Sequence, residues 1–245
     1  MSAAPRILVV VPAHNEEASL AAVLREIARA RPGCDVVVVD DGSDDGSRHV
    51  AAAHGAHVIR HERNRGYGAA LATGYHHAIA HAHDLVVTVD GDGQHDPAQI
   101  AALLDGARHA DVVIGSRMMR PGAEAQVASP ARLIGIRLFA WLGRAITDLP
   151  ITDPTSGFTA VHRRVLPFLA AHTPRDFPDL NVLVALERAG FSVCEVPVTM
   201  RPRRAGRSMQ RGLVPLLYVA KMLYYVFLEA RAPRRAPPAK PAAAR

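Results

Sequence analysis

Five short apolar runs, Ile7–Val11, Val36–Val39, His57–Arg60, Leu85–Val89 and Val112–Ile114, punctuate the first half of the chain. Runs this short, rich in Val and Ile and bounded by turn residues, read as buried parallel strands. The stretches between them, Glu16–Ala30, Asp45–His54, Tyr67–His81 and Pro97–Ala107, read as helices. In the first, Leu20, Val23, Leu24 and Ile27 share one face at helical spacing. Asn15 or Glu16 starts it and Pro32-Gly33 stops it. Strand and helix in strict alternation predict an α/β fold with a doubly wound, mainly parallel sheet. Such a sheet takes its ligand at the carboxyl ends of its strands.

After Ser116 the alternation breaks. Met118–Ser129 reads as a loop, and Ala131 to about Ile146 as a helix with Leu133, Ile136, Phe139, Ala140 and Leu142 inward. A loop at Asp153–Gly157, a strand at Phe158–Val161, helices near Arg163–Leu169 and Leu180–Ala189, and a strand at Val193–Val196 follow. No linker separates this half from the first, so it reads as an elaboration of one domain over 1–211. With 49% hydrophobic and 21% charged residues the chain can bury a real core. Two cysteines, Cys34 and Cys194, exclude a disulfide scaffold and zinc-finger or ferredoxin spacings. The apolar run at Ile7 is too short for a signal peptide, which fits a cytoplasmic protein.

The net charge of +6 conceals an asymmetry. Residues 201–245 hold 11 Lys/Arg and one acid, whereas residues 1–200 balance at −4. A basic end of this kind suits nucleic acid, an anionic membrane surface, or simple solubility. It lacks the interleaved aromatics of a single-strand binder, which argues against nucleic acid. Leu213–Leu228 is apolar on nearly every face except at Lys221. As a helix it covers roughly 24 Å, short of the ~30 Å hydrocarbon core, and the lysine adds about 2.5–3.5 kcal/mol against insertion. Residues 212–230 are therefore expected to lie in a membrane interface or pack on another protein, with packing on this chain's own body as the alternative. Residues 231–245, rich in Pro, Ala and Arg, are expected to be disordered.

Carboxylates cluster where the strands end. Asp40-Asp41-Gly42-Ser43 closes the second run and Asp90-Gly91-Asp92-Gly93-Gln94 the fourth. Two carboxylates one residue apart, with glycines allowing a tight turn, can approach a hard divalent ion and a diphosphate together. Exposed turns also use Asp and Gly, but this triplet directly follows a buried strand. The ring of His14 beyond the first strand can stack on a base. His76, His77, His81 and His83 gather near one helix, with His77 and His81 at a metal-binding i, i+4 spacing; a solvated face is the simpler reading.

These stretches together resemble one family. Val11–Glu17 is similar to V-P-A-[YH]-N-E-E, Asp40–Ser43 to D-D-G-S, and Asn64–Leu71 to N-x-G-x-G-x-A-L. Asp90–Pro97 is similar to D-x-D-G-Q-H-x-P, Gly115–Arg117 to G-S-R, Asp153–Phe158 to D-P-T-S-G-F, and Arg203–Ser208 to R-x-x-G-x-S. The pattern, spanning about residues 6–211, resembles family 2 glycosyltransferases of the GT-A, Rossmann-like fold, in the polyprenyl-phosphate mannosyl/glucosyltransferase branch. The resemblance implies that Pro12, Ala13, His14, Glu16, Val38 and Asp40, with Asp90 and Gly91, bind the nucleotide-sugar. It implies that Asp90, Asp92 and Gln94 hold Mg²⁺ or Mn²⁺, and that Arg117, Arg132 and Arg203 hold an acceptor phosphate. Asp92, Asp153 and Arg117 are then the catalytic set. Tyrosine is usual where His14 stands.

The implied reaction is an inverting, metal-dependent transfer of one sugar from a donor of the GDP-mannose or UDP-glucose class to polyprenyl phosphate. It would run on the inner face of the cell membrane, by peripheral contact or through a separate membrane-spanning partner. A hydroxyl acceptor is the alternative and would need a base, Asp153 first and Asp179 behind it. A non-catalytic lipid- or nucleic-acid-binding protein is the alternative of another class. The Q-x-x-R-W motif of processive synthases does not follow Gln210-Arg211, which favours single-sugar transfer.

Overall fold

The computed structural model describes residues 4–120, 122, 127, 129–203, 214–231, 233 and 234, with the backbone alone for 214–217. Its elements in chain order are β1 (Ile7–Ala13), α1 (Glu17–Ala30), β2 (Asp35–Asp40), α2 (Ser47–Ala53), β3 (His57–Arg60), α3 (Tyr67–Ala80) and β4 (Leu85–Thr88). A 3-10 turn at Pro97–Gln99 leads into α4 (Ile100–Gly106), then β5 (Val112–Ser116) and a second 3-10 turn at Arg117–Met119. The remainder is α5 (Pro130–Ile146), β6 (Thr159–His162), α6 (Leu166–His172), α7 (Leu180–Arg188), β7 (Val193–Pro197) and α8 (Val214–Arg231).

The seven strands form one sheet in the order β3-β2-β1-β4-β6-β5-β7. Every adjacent pair is parallel except the two that β6 makes, with β4 and with β5. The strand order reverses direction at the β1/β4 boundary, the switch point where open α/β sheets bind ligands. Period-2 alternation divides β1 between two cores: Ile7, Val9 and Val11 pack under α1, and Leu8 and Val10 pack under α3. All seven β1 residues are buried. Each large side chain taken from water here contributes roughly 1.5–3 kcal/mol.

Three expectations change. His57–Arg60 is an edge strand with exposed ends, not a buried one, because only β2 flanks it. In α5 the inward stripe is Ile136, Phe139, Ala140 and Gly143, with Leu133 and Leu142 only half-buried. The C-terminal apolar helix does not stand apart. Tyr218, Met222 and Val226 of α8 are buried against Phe139 of α5 and Leu180 and Val184 of α7. Lys221, the charge that interrupted its apolar surface, pairs with Asp176 at 2.5 Å. The opposite face leaves Leu223, Tyr224, Phe227 and Leu228 exposed. Residues 204–213, 232 and 235–245 lie outside the described residues, and with them most of R-x-x-G-x-S, Gln210-Arg211 and the expected disordered tail.

Candidate active site

The reversed strand β6 builds one wall of the site. Its first residue, Thr159, pairs with Thr88, the last residue of β4. Antiparallel register then carries the chain just before β6 alongside the chain just after β4. This brings the Asp153–Phe158 loop onto Asp90. Gly157 shows the tightness of the approach: a Cβ there would sit 2.6 Å from the Tyr67 hydroxyl and 3.6 Å from both Asp90 carboxylate oxygens.

Asp90 is held from three sides. Tyr67 Oη donates to its Oδ1 at 3.0 Å, its backbone N–H donates to His95 Nδ1 at 3.0 Å, and His95 Nε2 stands 3.6 Å from Oδ2. His95 is in turn stacked on Phe158, centroids 4.9 Å apart. Asp92 turns one oxygen to the Gln94 N–H at 2.9 Å and the other to Arg203 Nη2 at 2.9 Å. Arg203 also lies 3.7 Å from Glu16. Burial raises the pKa of both Glu16 and Asp92, and the like charge of Asp90 raises each further; Arg203 opposes the shift in both. Three carboxylates that repel one another, offset by an arginine, make a place suited to a cation.

Around the nucleotide-side residues, His14 Nδ1 lies 3.0 Å from the Asp41 carbonyl, and the ring stays half-exposed. Pro12 and Ala13 are buried at the end of β1, and Gly91 is buried beside the Pro12 carbonyl. Asp40 Oδ1 accepts the Ser43 N–H at 2.9 Å. Its Oδ2 is buried without a hydrogen-bond partner, 3.5 Å from Arg60 Nε. Val38 departs from expectation. It sits in mid-strand between β1 and β3, and its side chain is wholly buried in the core, which leaves it no side-chain surface for a ligand.

Arg117 and Asp153 also differ from their implied roles. They form a buried bidentate pair, Nε to Oδ2 at 2.6 Å and Nη2 to Oδ1 at 3.1 Å, with side chains 4% and 0% exposed. Asp153 additionally accepts the Arg117 N–H and the Thr155 hydroxyl. A carboxylate so saturated anchors an arginine; it is not disposed to collect a proton from a hydroxyl acceptor. Arg117, enclosed by that pair, does not line the cavity. Arg132, in the first turn of α5, does. Burial and the nearby Arg117 lower its pKa, while Asp153 and Asp92 pull it back up.

The cavity measures about 430 Å³. Asp90, Asp92, Gln94, Arg132 and Arg203 lie on its polar side, and Leu71, Ile114, Ile136, Phe139, Val182 and Leu183 give it apolar walls. Asp179 lines it too. Burial pushes the Asp179 carboxyl up to about 6, against the Tyr218 hydroxyl that donates to it at 2.7 Å. Tyr67 and His95 escaped the sequence reading as functional residues, although both stand within quoted motifs. Glu195 was missed entirely; it fastens the Asp153 loop through the Thr152 hydroxyl and the N–H groups of Thr152 and Asp153. The one available signal was Tyr67 itself, a bulky ring between Gly66 and Gly68. A Cβ on Gly68 would run into the Pro174 carbonyl.

Residues 8–168 match the family described as glycosyl transferase family 2. The chain is 31% identical over 219 residues to undecaprenyl-phosphate mannosyltransferase of Micrococcus luteus, covering 84% of this chain and 88% of that protein. It is 31% identical to polyprenol monophosphomannose synthase of Mycolicibacterium smegmatis, covering 84% and 82%. Among solved structures, glucosyl-3-phosphoglycerate synthase from Mycobacterium tuberculosis in complex with Mn²⁺, UDP and phosphoglyceric acid superposes with a TM-score of 0.68. It is 21% identical and covers 94% of this chain and 80% of that one, a likeness of fold.

Proposed function

The chain belongs to glycosyl transferase family 2 and has the GT-A fold, and from that premise we propose that it moves one sugar from a nucleotide-sugar donor, GDP-mannose or UDP-glucose in class, to polyprenyl phosphate. The observation that carries this reading is the composition of the cavity. Carboxylates and arginines share it with apolar walls, as an acceptor with an anionic head and a hydrocarbon tail requires. The relatives' names agree.

Asp90 and Asp92, with Gln94, would hold Mg²⁺ or Mn²⁺. The mutual repulsion of Glu16, Asp90 and Asp92 fits a resident cation. Such an ion, when bound, offsets the charge that gathers on a departing diphosphate. Tyr67 and His95 fix the Asp90 carboxylate. Arg203, held on Asp92 without ligand, can turn its guanidinium to phosphate oxygens, and Arg132 binds the acceptor phosphate. Arg117 acts through the Asp153 loop that it braces. Pro12, Ala13 and Gly91 shape the donor pocket, His14 offers its ring face to the base, and Asp40, paired with Arg60 at the end of β2, stands beside it.

A phosphate oxygen of the acceptor attacks the sugar C1 as the C1–O bond to the nucleoside diphosphate breaks on the opposite face, so the anomeric centre inverts. The acceptor phosphate is already ionised, and no base is needed. A hydroxyl acceptor is the second reading, supported by Asp179: a cavity carboxyl titrating near 6 can take a proton at neutral pH.

The acceptor would hold the enzyme at the inner face of the cell membrane. Among the described residues no helix is long and apolar enough to cross it. The exposed Trp141, Ile134 and Leu138 of α5 and the outer face of α8 support peripheral contact, alone or beside a separate membrane-spanning partner. Arg201 is not free for headgroups, since it pairs with Glu26 at 2.6 Å and Asp96 at 2.7 Å.

Incubation of the full chain with labelled GDP-mannose or UDP-glucose, Mn²⁺ and undecaprenyl phosphate should give an organic-soluble labelled lipid. Asp92→Ala should abolish that product without lowering the melting temperature. Label transferred only to a saccharide would overturn the lipid-phosphate reading in favour of the hydroxyl acceptor.

A further inference from the structure

A second concavity opens at the amino ends of the strands, on the far side of the sheet from the carboxylates. The six residues of β2 alone put Asp35, at its rim, about 16 Å from Asp40. This groove, of about 570 Å³, is lined by His57, His77, His81 and His83. The rings come from three places in the sequence: the start of β3, the last turn of α3 with the residue that ends it, and the link to β4. They form one cluster. His77 is 4.8 Å from His57, 4.2 Å from His81 and 6.3 Å from His83 between centroids, and His81 is 6.5 Å from His83. The sequence reading of a solvated face holds for His76 and His81, which are exposed, but not for His83, which is 3% exposed, or for the half-buried His77.

Four imidazoles packed against one another are electrostatically costly if protonated. A neutral imidazole carries one free lone pair. The hydrogen bonding of His83 bears on where. Its Nε2 donates to Asp35 Oδ2 at 2.7 Å, so in the neutral ring Nδ1 is the acceptor. Nδ1 is buried with no hydrogen-bond partner. A carboxylate behind one imidazole nitrogen, leaving the other unsatisfied, is the support that metal-ligating histidines commonly receive. Arg6 steadies the same corner: Nη1 donates to the His81 carbonyl at 2.7 Å and Nη2 to Asp35 at 3.4 Å.

We propose that this histidine cluster binds one late first-row divalent ion, of the Zn²⁺ class, through His77 and His81 with His57 and His83 completing the donor set. Imidazole suits Zn²⁺, Ni²⁺ and Cu²⁺, whereas Mg²⁺ and Mn²⁺ prefer oxygen, so this site and the carboxylate site select different ions. Among the described residues no three His, Cys, Asp or Glu side chains stand where together they could hold a metal ion. Capture therefore requires the exposed rings of His57 and His81 to rotate inward. The bound ion would tie the end of α3 to β3 at the free edge of the sheet.

The test is titration of Zn²⁺ alone into the full chain at neutral pH, with Mg²⁺ in excess to occupy oxygen sites. The readouts are calorimetry and the melting temperature. One saturable equivalent is expected, with melting rising as Zn²⁺ is added. His77→Gln/His81→Gln should weaken uptake about tenfold or more and remove the thermal shift, and Asp35→Asn should weaken it by about 10–100-fold. Asp92→Ala, which addresses the other end of the sheet, should leave Zn²⁺ uptake intact. Absence of uptake by the native chain, undiminished uptake by the double histidine variant, or its loss in Asp92→Ala would each overturn the proposal.

Discussion

Replacing Asp153 with asparagine separates two roles that one carboxylate near an active site can play. The side chain keeps its size and loses its charge. Its new amide keeps one oxygen to accept from Arg117 but sets an NH2 against the other of the Nε and Nη2 donors, now 2.6 and 3.1 Å from the carboxylate. Neither member of the pair reaches solvent to any useful extent. Breaking a buried ion pair from one side costs about 3–5 kcal/mol, chiefly because the remaining charge is stranded. For a chain of this size about 2–4 °C of melting temperature accompanies each kcal/mol, so Asp153→Asn should melt about 6–20 °C below the native protein. Differential scanning fluorimetry and urea unfolding both read this. The double variant Arg117→Met/Asp153→Leu should recover most of the loss, since an apolar pair strands no charge. The refuting result is specific. If Asp153→Asn melts within about 2 °C of the native chain while transfer stops, the carboxylate serves as a base and the bracing role is wrong.

Three further outcomes follow from the geometry. Gly157→Ala places a methyl 2.6 Å from the Tyr67 hydroxyl and should drive it off Asp90, raising the Mn²⁺ concentration for half-maximal transfer about tenfold; Tyr67→Phe should match it, and an unchanged Mn²⁺ dependence in both would break the link. Asp179 keeps its proton to about pH 6 when folded, so its stabilising contribution is complete below the ordinary aspartate range and is lost as pH rises from near 4 through 6. Asp179→Asn should therefore be more stable than the native chain at pH 7.5, by about 3 kcal/mol at most and less to the extent that water reaches the group, and no different at pH 4; urea unfolding at both pH values decides it. Leu223→Asp/Phe227→Asp alters side chains that are 44% and 50% exposed, so it should fold normally yet sediment less with anionic vesicles, by about tenfold or more; equal sedimentation would move the membrane contact elsewhere.

The Val-rich runs made the parallel strands readable, since four or five consecutive apolar residues between turns have few other uses. The direction of β6 was not readable. Its four residues, Thr159–His162, pair with strands far away in sequence, and local pattern carries no sign of orientation. That one reversal delivers Gly157 and the Asp153 loop to Asp90. Asp90, Asp92 and Gln94 stood out in the sequence because they directly follow a buried strand, and the structure brings all three to one cavity with Arg203. Arg117 and Asp153 were each visible but not as partners, because a 36-residue separation hides a bidentate contact. Val38 had been given a ligand role by family position, although its two-residue spacing from Val36 already set it inside the strand. The histidine spacing on α3 was plain; the contribution of His57, which comes from another strand, was not.

The hydrogen bond from Tyr218 to Asp179 has a practical bearing on where this chain can be cut. A version trimmed just after Arg203, in the hope of a tidy soluble catalyst, would strip the lid from Leu180 and Val184 and take a proton donor away from an acid facing the reaction chamber. Such a fragment would be altered chemically as well as shortened, and any sluggishness it showed should not be blamed on poor lipid access alone.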